Sequence, residues 1–334
     1  MTKCFAAFLG AVMALAAGPA LAEPVTLKLS FFSNDTEVNY AKVIKPWVDA
    51  VNADPSGAVK IDAYPNGALG KSLPAQPQLV LDGVADIAFI NPSLVPGRFP
   101  DDQVFELPGL LKDLGEGTKL YAELVKSNSL RGYGDYHVIG SFMNANYNLY
   151  SRRPIRSNAD LKGMKVRIVG PIVGQTVKEL GMVPVLMPPN EIVEAIGRGT
   201  VDAATLVPAA VIDFGVDRVT SHSYLLDLGA GPLGVVMNRA RYEALPAEAK
   251  AVLDKYSGAW INDLYVKALL AHNAEIIARF KADAKRTVVM PSAADLAAIK
   301  APYEKVTAAW AAKDPNNAKV LAKAREILTQ IRAK

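Results

Sequence analysis

Two segments in different halves of the chain repeat one local plan. Gly83-Val84-Ala85-Asp86-Ile87-Ala88 and Gly199-Thr200-Val201-Asp202-Ala203-Ala204 share the pattern Gly-x-x-Asp-x-Ala. Each follows a run of apolar residues at helical spacing and leads into an extended apolar run, so the glycine ends a helix and frees the chain to turn into a strand. A chain that builds this turn twice, at the same place in two similar strand and helix orders, is constrained to two similar α/β units.

The first unit opens on Val25, Leu27, Leu29 and Phe31, whose alternation reads as a half-buried strand. Val38, Ile44, Trp47, Val48 and Val51 then recur at helical spacing, and a second strand runs from Val59 to Tyr64. Strand, helix, strand in this order makes a βαβ unit with a parallel sheet. A short helix near Leu73 to Leu81 and a strand at Ile87 to Ile90 extend it. From Leu161 the plan recurs: strand Lys165 to Val169, helix near Gln175 to Leu180, strand Val183 to Met187, helix Glu191 to Ile196, strand Asp202 to Thr205.

After Leu245 a helical stripe through Val252, Tyr256, Ile261, Leu269, Ile276 and Phe280 continues almost unbroken to Ala284. At 1.5 Å per residue such a helix extends about 55 Å, more than one lobe is wide, so it is expected to run across both. A short strand at Thr287 to Met290 and helices at Ala293 to Ala312 and Asn317 to Ile331 close the chain. The expected fold is therefore a two-lobed α/β protein with a long helix spanning both lobes. Residues 23–145 and 236–280 are expected in lobe one, and 146–235 and 281–334 in lobe two.

The first 22 residues read as a signal peptide. Lys3 precedes an uncharged stretch from Cys4 to Ala17, Gly18 and Pro19 break it, and Ala20-Leu21-Ala22 has the small-x-small pattern of a cleavage site. The stretch is shorter than the roughly 20 residues that span a bilayer, so the expectation is a periplasmic chain beginning near Glu23. The one cysteine, Cys4, leaves with that segment, which removes disulfides, thiolate metal sites and cysteine nucleophiles together. The 37 basic and 33 acidic residues are interspersed rather than clustered, so nucleic acid is not an expected partner.

Motifs for chemistry fail on context. Gly229-Ala230-Gly231-Pro232-Leu233-Gly234 fits Gly-x-Gly-x-x-Gly, but extended residues Val235-Val236-Met237 follow where a dinucleotide site needs a helix. The run reads better as a flexible crossing between lobes. Gly70-Lys71-Ser72 lacks the glycine that a phosphate-binding loop carries five residues earlier, where Pro65 stands. His137, His222 and His272 form no metal-ligand pair, and no Gly-x-Ser-x-Gly elbow occurs. No enzyme, cofactor or metal is expected.

The segment Ser157-Asn158-Ala159-Asp160-Leu161-Lys162-Gly163-Met164-Lys165-Val166-Arg167-Ile168-Val169-Gly170-Pro171 resembles the hallmark of solute-binding proteins of tripartite ATP-independent periplasmic (TRAP) transporters. Tyr64 to Gly70, Pro96 to Pro100, Gly199 to Asp202 and Met237-Asn238 resemble the family as well. The resemblance implies that Arg167 forms a bidentate pair with a ligand carboxylate. The physics agrees, because a guanidinium presents two parallel donors that match a carboxylate.

By the same resemblance the first lobe contributes the loop after strand one, with Phe32 and Asn34, and a strand end with Phe89 and Asn91. These are carboxyl ends of parallel strands, where ligands of open α/β sheets gather. On lobe two, Asn144, Asn146 and Tyr147 lie on the returning segment, Tyr147 occupying the slot where acidic-sugar binders of the family often carry a second arginine. Leu206 stands where many relatives carry polar residues, and Phe214 follows downstream. These departures point to a monocarboxylate with an apolar or aromatic body rather than a sialic-acid-like or dicarboxylate ligand. The resemblance also implies hinge closure on the ligand and delivery to integral membrane subunits of a TRAP transporter. The alternatives are a binding protein of an ATP-driven importer and a periplasmic enzyme acting on a carboxylate.

Overall fold

A computed structural model describes residues 23–333. The expected signal peptide, with Cys4, lies outside the described residues. The first strand, β1 (Val25–Ser30), buries Leu27 and Leu29 on one side and exposes Lys28 between them, as the period-two pattern requires. A π-helical turn, Tyr40–Ile44, feeds α1 (Lys45–Asn52), which turns Trp47, Val48 and Val51 inward. β2 (Val59–Tyr64) returns parallel to β1 in the register Val25 with Val59 to Ser30 with Tyr64. After α2 (Gln76–Leu81), the fully buried β3 (Ile87–Ile90) pairs parallel with the other side of β1. Helix α3 (Leu114–Lys126), capped by the Asp113 side chain, and β4 (Tyr136–Met143) complete this half.

The chain then crosses into the second half, built of β5 (Asn148–Ser151), β6 (Lys165–Ile168), α4 (Pro171–Glu179), β7 (Val183–Leu186), α5 (Ile192–Gly197), β8 (Ala203–Leu206), α6 (Pro208–Asp213) and β9 (His222–Tyr224). Helix α4 begins earlier than the apolar spacing indicates, because extended Gly170 and then Pro171 at the first helical position set its start. β10 (Pro232–Asn238) returns to the first sheet and runs antiparallel between β3 and β4. The first sheet has the order β2-β1-β3-β10-β4, and the second, completed by β11 (Thr287–Val289), the order β11-β9-β5-β8-β6-β7.

The repeat is reproduced atom by atom. Gly83 and Gly199 both take left-handed φ, 71° and 74°, a conformation that favours glycine. The Asp86 carboxylate accepts the amide hydrogen of Lys28 at 2.8 Å, and Asp202 accepts that of Lys165 at 3.1 Å. Each aspartate returns its own amide to the carbonyl of the same lysine, at 2.9 and 2.7 Å. In both halves the aspartate thus clamps the incoming strand to its parallel neighbour.

The two crossings touch. Asn144 and Tyr147 donate their amides to the carbonyls of Gly231 and Gly229, at 2.9 and 2.7 Å, and Leu228 donates to Tyr147 at 3.1 Å. The Gly-x-Gly-x-x-Gly run therefore sits at the hinge and opens a strand, not a helix. Gly229 has φ 95° and lies against the carbonyl of Glu106, where a side chain would collide.

The expected long helical run is present, with one break in it. Following α7 (Arg239–Glu243), α8 (Ala247–Tyr256) ends at Ser257, and α9 (Ala259–Ala282) starts after Gly258, whose φ 58° and ψ −118° leave the helical region. The Gly258 amide donates to Ile139 of β4 at 2.8 Å, so the break fastens the helix start to the first sheet. The 24 residues of α9 span about 36 Å at the helical rise and still reach both halves. Asn262 on α9 accepts the Ser141 amide of β4 at 3.1 Å, and Asn273 accepts the Ala209 amide at the start of α6 at 2.9 Å. Between them Tyr265 stacks on Phe142 with centroids 4.4 Å apart, and farther along Phe280 meets Tyr150 edge-on at 6.4 Å.

The last two helices pack on each other and on different neighbours. α10 (Ala293–Lys313) packs on α4, but Asp314 caps a new helix, α11 (Pro315–Arg332), which lies against α3 and the Pro100–Glu106 turn. The sequence reading places residues 281–334 with the second lobe. The structure instead buries Val320, Leu321, Ala324, Ile327 and Leu328 of α11 with Leu120, Tyr121 and Leu124 of α3, beside the first sheet. Among the described residues, no helix is long and apolar enough to cross a membrane.

Candidate ligand-binding site

The carboxyl ends of β1, β3, β6 and β8 face one cavity of about 660 Å³, part of it open to solvent. Arg167 enters it from β6, an inner strand paired with Val185 of β7 and Ala204 of β8. Its side chain is 2% exposed. Nε donates to the Met187 carbonyl at 3.0 Å and Nη1 to the Thr205 carbonyl at 3.2 Å, while the Thr205 hydroxyl donates back to the Arg167 carbonyl at 3.0 Å. These bonds fix the guanidinium plane against the strand ends. Among the described residues no carboxylate forms a salt bridge with it. Burial lowers its pKa to about 10, still far enough above neutrality to keep it charged. A buried cation without a counter-ion is destabilising, and an anion in the cavity relieves that.

Of the other expected site residues, Phe32, Phe89, Asn91, Asn144, Tyr147, Leu206 and Phe214 line the same cavity. Phe32 and Phe89 lie nearly parallel with centroids 6.3 Å apart and form an aromatic wall. Asn91 has a structural task too, because its Oδ1 accepts the Ser93 amide at 3.1 Å and caps the turn after β3. Asn144 accepts the Tyr265 hydroxyl at 3.3 Å, which ties the cavity to α9. Tyr147 is 4% exposed, and its hydroxyl lies over Gly231, the position with room for it.

Two expected residues lie elsewhere. Asn34 is exposed at the outer mouth, with Phe32, Asn66 and Lys71, where its Oδ1 accepts the amide and hydroxyl of Thr36 at 3.1 and 2.6 Å. That local turn holds it out of the inner cavity. Asn146 faces a separate cleft beside Lys112, Asp113 and Asn273 and donates weakly to the Leu111 carbonyl at 3.4 Å. It directly precedes Tyr147 in the irregular crossing between β4 and β5, and faces away from the cavity that Tyr147 lines.

Sequence reasoning missed three polar lining residues, Glu37, Asn39 and Asp213. Burial, then the charge of Asp213, pushes Glu37 up to about 8, and burial pushes Asp213 up to about 7. An acid just before the first helix, which reads equally well as ordinary helix-start chemistry, and one at the end of a short apolar helix, where the dipole disfavours it, were the available signals. His137 stacks on Tyr242 with ring centroids 3.5 Å apart, and no metal-holding cluster occurs among the described residues.

Known proteins share the fold and much of the sequence. A TRAP solute-binding protein from a marine metagenome, specific for aromatic acid ligands and solved with 3-hydroxybenzoate, superposes with a TM-score of 0.86 at 27% identity, covering 92% of this chain and 99% of that one. One from Rhodoferax ferrireducens T118, solved with benzoate, gives 0.83 at 26% identity over 92% and 98%. The C4-dicarboxylate-binding periplasmic protein DctP of Rhodobacter capsulatus is 27% identical over 71% of this chain and 72% of its own length. The model of bacterial extracellular solute-binding protein family 7 matches residues 30–314. The two-lobed α/β fold, the hinge and the match across nearly the whole described chain lead to one statement: this protein belongs to the bacterial extracellular solute-binding protein family 7, the DctP-type TRAP solute-binding proteins.

Proposed function

We propose that the chain is secreted with loss of residues 1–22, captures a small monocarboxylate with an apolar or aromatic body between its lobes, and delivers it unchanged to the membrane subunits of a TRAP transporter. The observation that carries the reading is the buried Arg167 guanidinium facing a cavity with no counter-ion. A carboxylate completes that pair, and a charge-assisted bond there contributes about 1.5–3 kcal/mol. Phe32, Phe89, Leu206 and Phe214 offer a mostly apolar wall, which favours a hydrocarbon body at about 25 cal/mol per Å² buried.

A dicarboxylate fits less well. The other ionisable groups of the cavity besides Tyr147 are the acids Glu37 and Asp213, so no second cation is there to pair with a second carboxylate. The two solved relatives bound to benzoate and 3-hydroxybenzoate support the same class. Residues of both halves line the cavity, so a ligand that touches both stabilises the closed arrangement over the open one. A micromolar dissociation constant corresponds to about 8 kcal/mol, within reach of these terms without covalent chemistry.

Calorimetric titration of the mature chain with benzoate and succinate checks the reading. Benzoate is expected to bind more tightly. Binding of succinate alone, or conversion of a bound carboxylate to another compound, overturns it.

A further inference from the structure

Helix α4, which follows the Arg167 strand, has no cap from its own segment. Its N-cap residue Gly170 lacks a side chain and Pro171 lacks an amide hydrogen, so Ile172 and Val173 hold the first free donors of the helix. Both are met from the other half. Glu106, the last residue of the Pro100–Glu106 turn, is 0% exposed, and its Oε2 accepts the Ile172 and Val173 amides at 3.3 and 3.5 Å. A Cβ on Gly170 would fall 2.5 and 2.6 Å from the two oxygens of that carboxyl. The carboxyl thus stands where a capping side chain at position 170 would stand.

The same residue is fixed at the hinge, because its carbonyl lies against Gly229. From there its side chain reaches toward the open side of the cleft. Ser93 of the first half and Gly170 and Pro171 of the second line the outer mouth, and Ile172 is buried with Phe105 and Leu107. The contact therefore lies between hinge and mouth, where the two halves part when such a cleft opens. Val169, on the link from β6 to α4, lines the ligand cavity, so the capped turn is also part of the site. Opening gives the two amides to water, whereas closing without Glu106 buries them with no acceptor, which is destabilising. Burial pushes Glu106 up to about 7. Its Oε1 is buried without a partner and can carry the proton, while Oε2 stays an acceptor in either state.

We propose that Glu106 is a positioning residue for ligand capture: in the closed arrangement it caps α4 across the cleft and holds the turn after the Arg167 strand against the first half. The inference rests on closure around a carboxylate held by Arg167. It names the contact between halves that forms when the ligand is enclosed.

The test is calorimetric titration of benzoate into wild type, Glu106→Ala, Glu106→Gln and the double variant Glu106→Ala with Gly170→Ser, with stopped-flow rates and thermal unfolding of each. Residue 170 has extended backbone, φ −147° and ψ 170°, which serine adopts, so the double variant caps α4 from its own chain with no bond to the first half. Glu106→Ala is expected to weaken binding about 10-fold, through faster release rather than slower capture, since the contact forms after the ligand has entered. Glu106→Gln keeps an acceptor and should stay within about three-fold of wild type. The double variant should regain Tm while its affinity stays about 10-fold down, and it reports in place of Glu106→Ala if that variant does not fold. Affinity of Glu106→Ala within about three-fold of wild type, a loss in Glu106→Gln as large as in Glu106→Ala, or affinity recovered together with Tm in the double variant overturns the inference and leaves carboxylate capture standing. If wild type does not bind benzoate, the carboxylate reading fails and the inference falls with it.

Discussion

The hydroxyl of Tyr147 fills the space that a side chain at Gly231 would need, because a Cβ built on that glycine falls against the phenol oxygen. The hinge strand and the cavity wall are thereby matched to each other. Gly231→Ala is expected to push Tyr147 out of position and weaken carboxylate binding by about 1–2 kcal/mol, roughly 10-fold, with overpacking lowering stability by about 1–3 kcal/mol. Titration beside urea unfolding measures both. Unchanged affinity in a folded variant removes Tyr147 from the account.

The break at Gly258 is a backbone requirement. Its φ of 58° with ψ of −118° is strained for any residue with a Cβ, while no atom within 4 Å would obstruct one. Gly258→Ala should therefore lower stability by about 1–3 kcal/mol through backbone strain alone, a fall of a few degrees in Tm for a chain of this size. An unchanged Tm means that α8 and α9 can join without loss.

Five buried carboxyls set the pH dependence. Burial, the first cause in each, pushes Glu37 and Asp102 up to about 8, Glu106 and Asp213 to about 7 and Asp227 to about 6. Between about pH 4.5 and pH 8 the folded chain keeps protons that the unfolded chain has released, so stability falls as pH rises through that window. His137 and His272, lowered by burial, act in the opposite sense below about 6.5 and are outnumbered. Tm should be lower at about pH 9 than at about pH 5. Asp102 accepts the Tyr133 hydroxyl at 2.6 Å and leaves its other oxygen buried and unpaired, so Asp102→Asn should flatten the alkaline side of the profile and raise Tm there. A wild-type Tm that rises from acid to alkaline contradicts this balance.

What the sequence could reveal followed from local physics. The period-two run Val25 to Phe31, the Gly-x-x-Asp-x-Ala turns and the Lys-Val-Arg strand each state their role through neighbours a few residues away. The helix start at Pro171, the break at Gly258 and the docking of α11 on α3 were harder to read. A stripe of apolar residues continues across a single glycine, and the face that covers a helix is contributed by distant chain. The site divides in the same way. Strand ends placed Arg167, Phe32, Phe89, Asn91 and Leu206 in the cavity, because topology directs such ends toward ligand. Asn34 was lost to a local turn, and Asn146 to the irregular crossing between β4 and β5, which has no side-chain period to read. Glu37, Asn39 and Asp213 carried no signal that points to a shared cavity, since their meeting depends on two lobes facing each other.

The central claim is that Arg167 holds a carboxylate. Calorimetric titration of an arylcarboxylate such as benzoate into wild type and Arg167→Met, with urea unfolding of both, tests it most directly. Removing one partner of a buried charged pair costs about 2–5 kcal/mol of binding, so affinity should fall by about 100-fold or more while the unfolding midpoint stays close to wild type. Affinity retained within about three-fold in the folded variant, less than 1 kcal/mol, contradicts the account.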